Sequence, residues 1–100
     1  TASDSSGNGN GGALTNGPVW TSGKVGGALN LDGVNDGVNA GSGSTLDNLG
    51  PLTFAVWMKA DTLGGGTNAR GRIVDKGVFA GGCGLYLHST TANSLEFSPR

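Results

Sequence analysis

Apolar residues along this chain recur at every second position in short runs, and the runs are separated by Gly, Asn and Pro. No stretch of ten or more residues carries apolar positions at helical spacing without a glycine, so the pattern predicts strands and little helix. The segment LTFAVWMKAD, 52–61, is the clearest case. Leu52, Phe54, Val56 and Met58 point one way and Thr53, Ala55, Trp57 and Lys59 the other, which predicts a strand with one buried and one partly covered face. Further strands are expected over 27–32, 37–41, 72–77, 83–89 and 94–98, with weaker ones around Ala13-Leu14 and Val19-Trp20. Strands at such regular intervals, joined by turns, predict an all-β sandwich or barrel.

The connections supply residues that tolerate positive φ: Asn16-Gly17-Pro18, Asn35-Asp36-Gly37, Gly64-Gly65-Gly66 and Gly81-Gly82. Leu29 and Leu31 alternate with Asn30 and Asp32, and Asn35-Asp36-Gly37 is expected to turn that strand into Val38 as a hairpin. One helical turn is expected at STLDNLG, capped by Ser44 or Thr45 and ended by Gly50-Pro51.

Composition narrows the function more than the fold. The chain has 100 residues, enough for one small domain, and 21 of them are glycine. Six basic residues are scattered and the net charge is −1, so no basic stripe is available for nucleic acid. The longest apolar run, 54–58, falls far short of the roughly 20 residues that a membrane-spanning helix needs, and no membrane insertion is expected. Cys83 is the sole cysteine, which rules out an internal disulfide and a Cys/His zinc cluster.

Catalytic signatures are missing from the sequence. Glycoside hydrolysis needs two carboxylates placed across the scissile bond, and the chain has one glutamate, Glu96, followed by Phe97 and Ser98. There is no Gly-x-Ser-x-Gly elbow, phosphate loop or Cys paired with a nearby His. The chain is therefore expected not to be an enzyme of its own, although it suits an accessory module of one.

Two stretches suit hard-cation chemistry. In DSSGNGN, Asp4, Ser6 and Asn8 fall at the first, third and fifth positions of a calcium loop, with Asn10 beyond. Thr15 stands where an EF-hand would place its bidentate Glu, so the alternative is an Asx turn leading into the first strand. Counted from Asp32, the third and twelfth positions are Val34 and Gly43, where ligands are required, so LDGVNDGVNAG does not begin a self-contained calcium loop; Asp32 or Asp36 can only complete a site built elsewhere. Among the aromatic residues, Trp57 is expected to be packed, Trp20 and Tyr86 are candidate sugar platforms, and Phe79 lies in a glycine-rich loop. His88 ends a strand and is expected to be an ordinary surface or hydrogen-bonded histidine.

Taken in order, DSSGNGNGGALTNGPVWTSGKVGGALNLDGVNDGV, LTFAVWMK, RIVDKG and GLYL resemble the laminin G-like, or concanavalin A-like, jelly-roll domains. The resemblance runs from about Asp4 to Leu87. It implies one laminin G-like domain over 1–100, an antiparallel β-sandwich of two sheets, incomplete because such domains continue past this length. It also implies an extracellular or surface-exposed, non-catalytic module that binds a glycan or a cell-surface or matrix component, with a structural calcium ion. The implied metal residues are Asp4, Asn8, Asn10 and Asp32; Asn35, Asp36 and Tyr86 are weaker ligand-binding candidates. Gly37 departs from the family, many of whose members carry an aromatic residue there.

The missing closing strands leave sheet edges open. The chain is then either a piece of a longer polypeptide or a complete subunit of a surface filament, capsid or matrix, in which neighbouring copies self-associate by pairing strands at those edges.

Overall fold

The structure is a computed structural model that describes residues 1–47, 49–61, 70–77, 83–88 and 94–99. The chain divides into two compact units, Thr1–Thr53 and Phe54–Arg100.

The first unit is built from two two-stranded antiparallel sheets. Strand β1 (Ala13–Thr15) pairs with β4 (Gly37–Asn39), Leu14 facing Val38. Strand β2 (Val19–Ser22) pairs with β3 (Gly27–Asn30), Trp20 facing Leu29. The turn from β1 to β2 uses the left-handed conformation at Asn16 (φ 63°) and Gly17 (φ 98°), as Asn-Gly chemistry favours. In the β2–β3 hairpin, Gly23 N–H donates to the Gly26 carbonyl at 2.7 Å. Gly12 is buried, and a Cβ there would run into the Val38 side chain, so glycine permits the close approach of β4.

This pairing corrects the hairpin expected between 29–31 and Val38. Strand β3 pairs back onto β2 while β4 pairs with β1, so residues 31–36 form a crossing connection between sheets. The turn residues there do bend the chain, at Gly33 (φ 76°), but bending does not decide which strands pair.

A single 3₁₀ turn, η1 (Ser44–Leu46), occupies the expected place. Its N-cap is Gly43, which has no side chain to cap the turn, rather than the expected Ser44 or Thr45; both of those lie within the turn, and the Thr45 hydroxyl bonds the Asn10 carboxamide. The turn ends at Asp47, before Gly50-Pro51.

The second unit holds a three-stranded antiparallel sheet, β5 (Arg70–Lys76), β6 (Cys83–His88) and β7 (Ser94–Pro99), in that order. Arg72 faces Tyr86 but Val74 faces Leu85, so Ile73 is an extra residue in β5. That bulge resets the alternation and puts Arg72 and Asp75 on one face, together with Gly84, Tyr86 and Glu96. The opposite face carries Val74, Leu85, Leu87, Leu95 and Phe97.

Segment 52–60 is the main departure from expectation. Its residues belong to no strand, and Val56, Trp57 and Met58 are exposed, Trp57 to 75%. Alternation reports that side chains would fit a pleated surface; a strand also needs a neighbour to take its main-chain hydrogen bonds, and none of the described strands does so here. Phe54 packs edge-on to Phe97 with ring centroids 6.1 Å apart. The all-β class therefore stands, with antiparallel pairing throughout and one short helical turn among the described residues. The glycine turns at 64–66 and 81–82, Phe79 and the side chain of His88 lie outside the described residues.

Candidate functional site

The two acid-and-amide loops both lie in the first unit, and each is organised by one aspartate. In the N-terminal loop, Asp4 Oδ1 accepts from Ser6 N–H at 2.8 Å, and Oδ2 accepts from the Ser6 hydroxyl and from Asn10 N–H, both at 2.8 Å. Ser6 Oγ in turn accepts from Asn8 N–H at 3.2 Å. Gly7 and Gly9, at φ 83° and 75°, let the chain wrap around the carboxylate, and a pair of hydrogen bonds between Ala2 and Gly12, each 2.8 Å, closes the loop.

These donors favour the ionised carboxylate. The Ser6 hydroxyl first, then the Ser6 and Asn10 amides, hold the Asp4 pKa below its ordinary value against a smaller opposing effect of burial. The geometry is that of the Asx turn, in which both oxygens already serve the loop's own N–H and O–H groups.

Asn10 ties this loop to η1. Its Nδ2 donates to Thr45 Oγ1 at 2.9 Å, while the Thr45 hydroxyl donates to Asn10 Oδ1 at 3.3 Å. Sequence reasoning offers Thr45 only as a helix cap and misses its contact with Asn10, since nothing in local spacing marks a contact between positions so far apart.

The second loop joins β3 to β4. Asp32 Oδ1 accepts from Val34 N–H at 2.8 Å and from Asn35 N–H at 3.3 Å, and Asp36 Oδ2 accepts from Asp32 N–H at 3.0 Å. The Val34 amide is the main cause of a lowered Asp32 pKa. Asn16 Nδ2 donates to the Asn35 carbonyl at 2.7 Å, pinning this loop to the β1–β2 turn. Asn16 too was missed; its Asn-Gly step signals a turn and conceals the side-chain contact.

Asp36 Oδ1 is the exception in this network: it is buried and, among the described residues, has no hydrogen-bond partner. A buried carboxylate oxygen left unsatisfied is costly, so it has capacity for an outside donor or a hard cation. Through that one oxygen the donor chemistry suits a hard cation at this loop better than at Asp4, where both oxygens already serve three internal donors; Asp32, four residues away, has its Oδ1 engaged by two amides. Among the described residues no group of three or more His, Cys, Asp or Glu side chains is placed to hold a metal ion, so Asp32 and Asp36 would need carbonyl, amide or outside oxygens to complete a site.

Tyr86 belongs to the second unit. Its side chain is only 1% exposed, and its hydroxyl donates to Asp75 Oδ1 at 3.0 Å. Asp75 Oδ2 also faces Arg72 Nη1 at 3.1 Å. Gly84 makes room for the Tyr86 ring, which a Cβ at that position would overlap. The Arg72–Asp75 pairing was not legible from the sequence, because residues three apart lie on opposite faces of a regular strand and the bulge at Ile73 has no local signature.

Trp20 differs from Tyr86 in being half-exposed, at 53%, in strand β2. Its cross-strand partner Leu29 lies near the end of the strand that leads into the Asp32–Asp36 loop. No helix of the described residues is long and apolar enough to cross a membrane. A comparison with protein-family models gives no match, and comparisons with curated proteins and with solved structures give none either.

Proposed function

We propose that this chain is a non-catalytic, extracellular glycan-binding or adhesion module of laminin G-like character, with the β2–β3 hairpin and the Asp32–Asp36 loop as its ligand face. The observation that carries the reading is the exposed Trp20 ring beside a strand that feeds a loop of amides and carboxylates. Sugar recognition combines an apolar ring face with a few fixed polar groups. Asn35 and Asp36 supply polar groups on a loop that is held in shape by its own hydrogen bonds and by Asn16. The order of motifs along the chain, from DSSGNGN to GLYL, supports the same reading.

A structural calcium ion is part of this proposal. Asp36 Oδ1 and Asp32 would hold it, and the ion would neutralise two acids and fasten the β3–β4 connection. Its test is thermal melting with chelator and with added calcium, in the parent chain and in Asp36→Ala. A melting temperature that rises with calcium in the parent only is the expected result; identical curves in all conditions refute the ion. Glycan retention tests the binding role separately.

A second reading is a structural subunit assembled through strand pairing between copies. It is favoured by the exposure of Val56, Trp57 and Met58, which lie in no strand, and by sheets of only two strands each among the described residues of the first unit. Sedimentation over a dilution series separates the readings. Assemblies that dissociate on dilution support the subunit, and a folded monomer at every concentration excludes it.

A further inference from the structure

We propose that Asn8 is a site of spontaneous covalent modification, deamidating through the Gly9 backbone nitrogen while the other Asn-Gly steps of the chain are protected. The sequence contains three such steps, Asn8-Gly9, Asn10-Gly11 and Asn16-Gly17. Glycine favours the reaction at all three, since it has no side chain to obstruct approach and reaches conformations closed to other residues. What separates them is how the asparagine side chain is held. The Asn10 carboxamide is engaged at both ends by Thr45. That of Asn16 is fixed by its bond to the Asn35 carbonyl. Among the described residues no hydrogen bond holds the Asn8 carboxamide, and Asn8 is exposed. Gly9 beside it sits in open space at φ 75°.

The chemistry balances with water as the only co-reactant. The Gly9 amide nitrogen, having given up its proton, bonds to Asn8 Cγ; the Cγ–Nδ2 bond breaks and Nδ2 departs as ammonia after taking up a proton. Water then opens the cyclic imide. Cleavage of the bond from Cγ to the Gly9 nitrogen leaves aspartate, and cleavage of the main-chain carbonyl bond leaves isoaspartate. Either product adds a negative charge close to the Asp4 carboxylate, in the loop where Asn8 N–H donates to Ser6. Isoaspartate also lengthens the backbone by a methylene, which misaligns the amides that converge on Asp4.

The test is incubation of the intact chain at mildly alkaline pH, native and in denaturant, with fragment-ion mass spectrometry to read each asparagine. In the native chain position 8 should convert several-fold faster than positions 10 and 16, and in denaturant the three rates should converge. Thr45→Val should raise the rate at position 10 towards that at position 8. Equal native rates, faster conversion at position 10 or 16, or no response of position 10 to Thr45→Val would overturn the proposal.

Discussion

The hydroxyl of Tyr86 donates to Asp75 Oδ1 at 3.0 Å from the same sheet face that carries Arg72 and Glu96, and this polar face holds the most deeply buried side chain described in the second unit. Leu95 and Phe97, on the opposite and more apolar face, remain exposed. Burial here follows the Tyr86 ring folding over Gly84, rather than the hydrophobic alternation of the strands. Tyr86→Phe keeps the ring and removes the donor, so it should weaken the sheet by about 1 kcal/mol, the usual net worth of such a bond. Tyr86→Ala should cost about 3–5 kcal/mol, as for other large buried rings. Amide hydrogen exchange over β5–β7 reads both effects.

Gly84→Ala should be damaging although the added group is a single methyl. Its Cβ would overlap the Tyr86 ring and hydroxyl, so the ring must leave its place and break the bond to Asp75. Overpacking of this kind costs about 1–3 kcal/mol. Faster exchange in β5 and β6 is expected, and unchanged protection would show that Gly84 does not make room for Tyr86.

Acid should loosen the N-terminal loop. Asp4 has a lower pKa folded than its ordinary value of 3.8, so the unfolded chain takes up its proton first as pH falls. The stabilisation is therefore complete above the ordinary value and is lost as pH drops through the lower, folded one. Ser6→Ala removes the largest cause of the shift and should bring the titration of Asp4 back towards the ordinary value. Carboxyl chemical shifts followed by NMR against pH would show both, and a folded Asp4 titrating at its ordinary value would contradict them.

The two tryptophans of the chain, Trp20 and Trp57, are both exposed, at 53% and 75%. Emission should accordingly be red-shifted and readily quenched by acrylamide. In the Trp57→Phe variant, which reports Trp20 alone, a ligand on the β2–β3 hairpin should reduce quenching. In Trp20→Phe, which reports Trp57 alone, self-association through 52–60 should do the same with rising protein concentration.

Strand positions were largely legible because alternation and turn residues are local signals. The expected runs at 27–32, 37–41, 72–77, 83–89 and 94–98 each contain or overlap a strand, and even the weak ones at Ala13 and Val19 do. Pairing was not legible, because Asn35-Asp36-Gly37 marks a bend without saying that β4 returns to β1. The LTFAVWMKAD run departs for a related reason: its side chains suit a sheet, but none of the described strands pairs with it. In the candidate site, Asp4 was identifiable as a loop organiser through the Asx-turn alternative, whereas Asp32 was read as a strand residue and its bonds to the Val34 and Asn35 amides were not foreseen. Thr45, Asn16 and the Arg72–Asp75–Tyr86 group were not, since they depend on the tertiary path and on one bulge.

Retention of the intact chain on a glycan array at high protein density, beside Trp20→Ala and Asp36→Ala, tests the central proposal most directly. The account predicts that the parent is retained on a defined set of glycans, that Trp20→Ala loses this retention, and that Asp36→Ala weakens it. No retention of the parent at any density, or retention unchanged by Trp20→Ala, would contradict it.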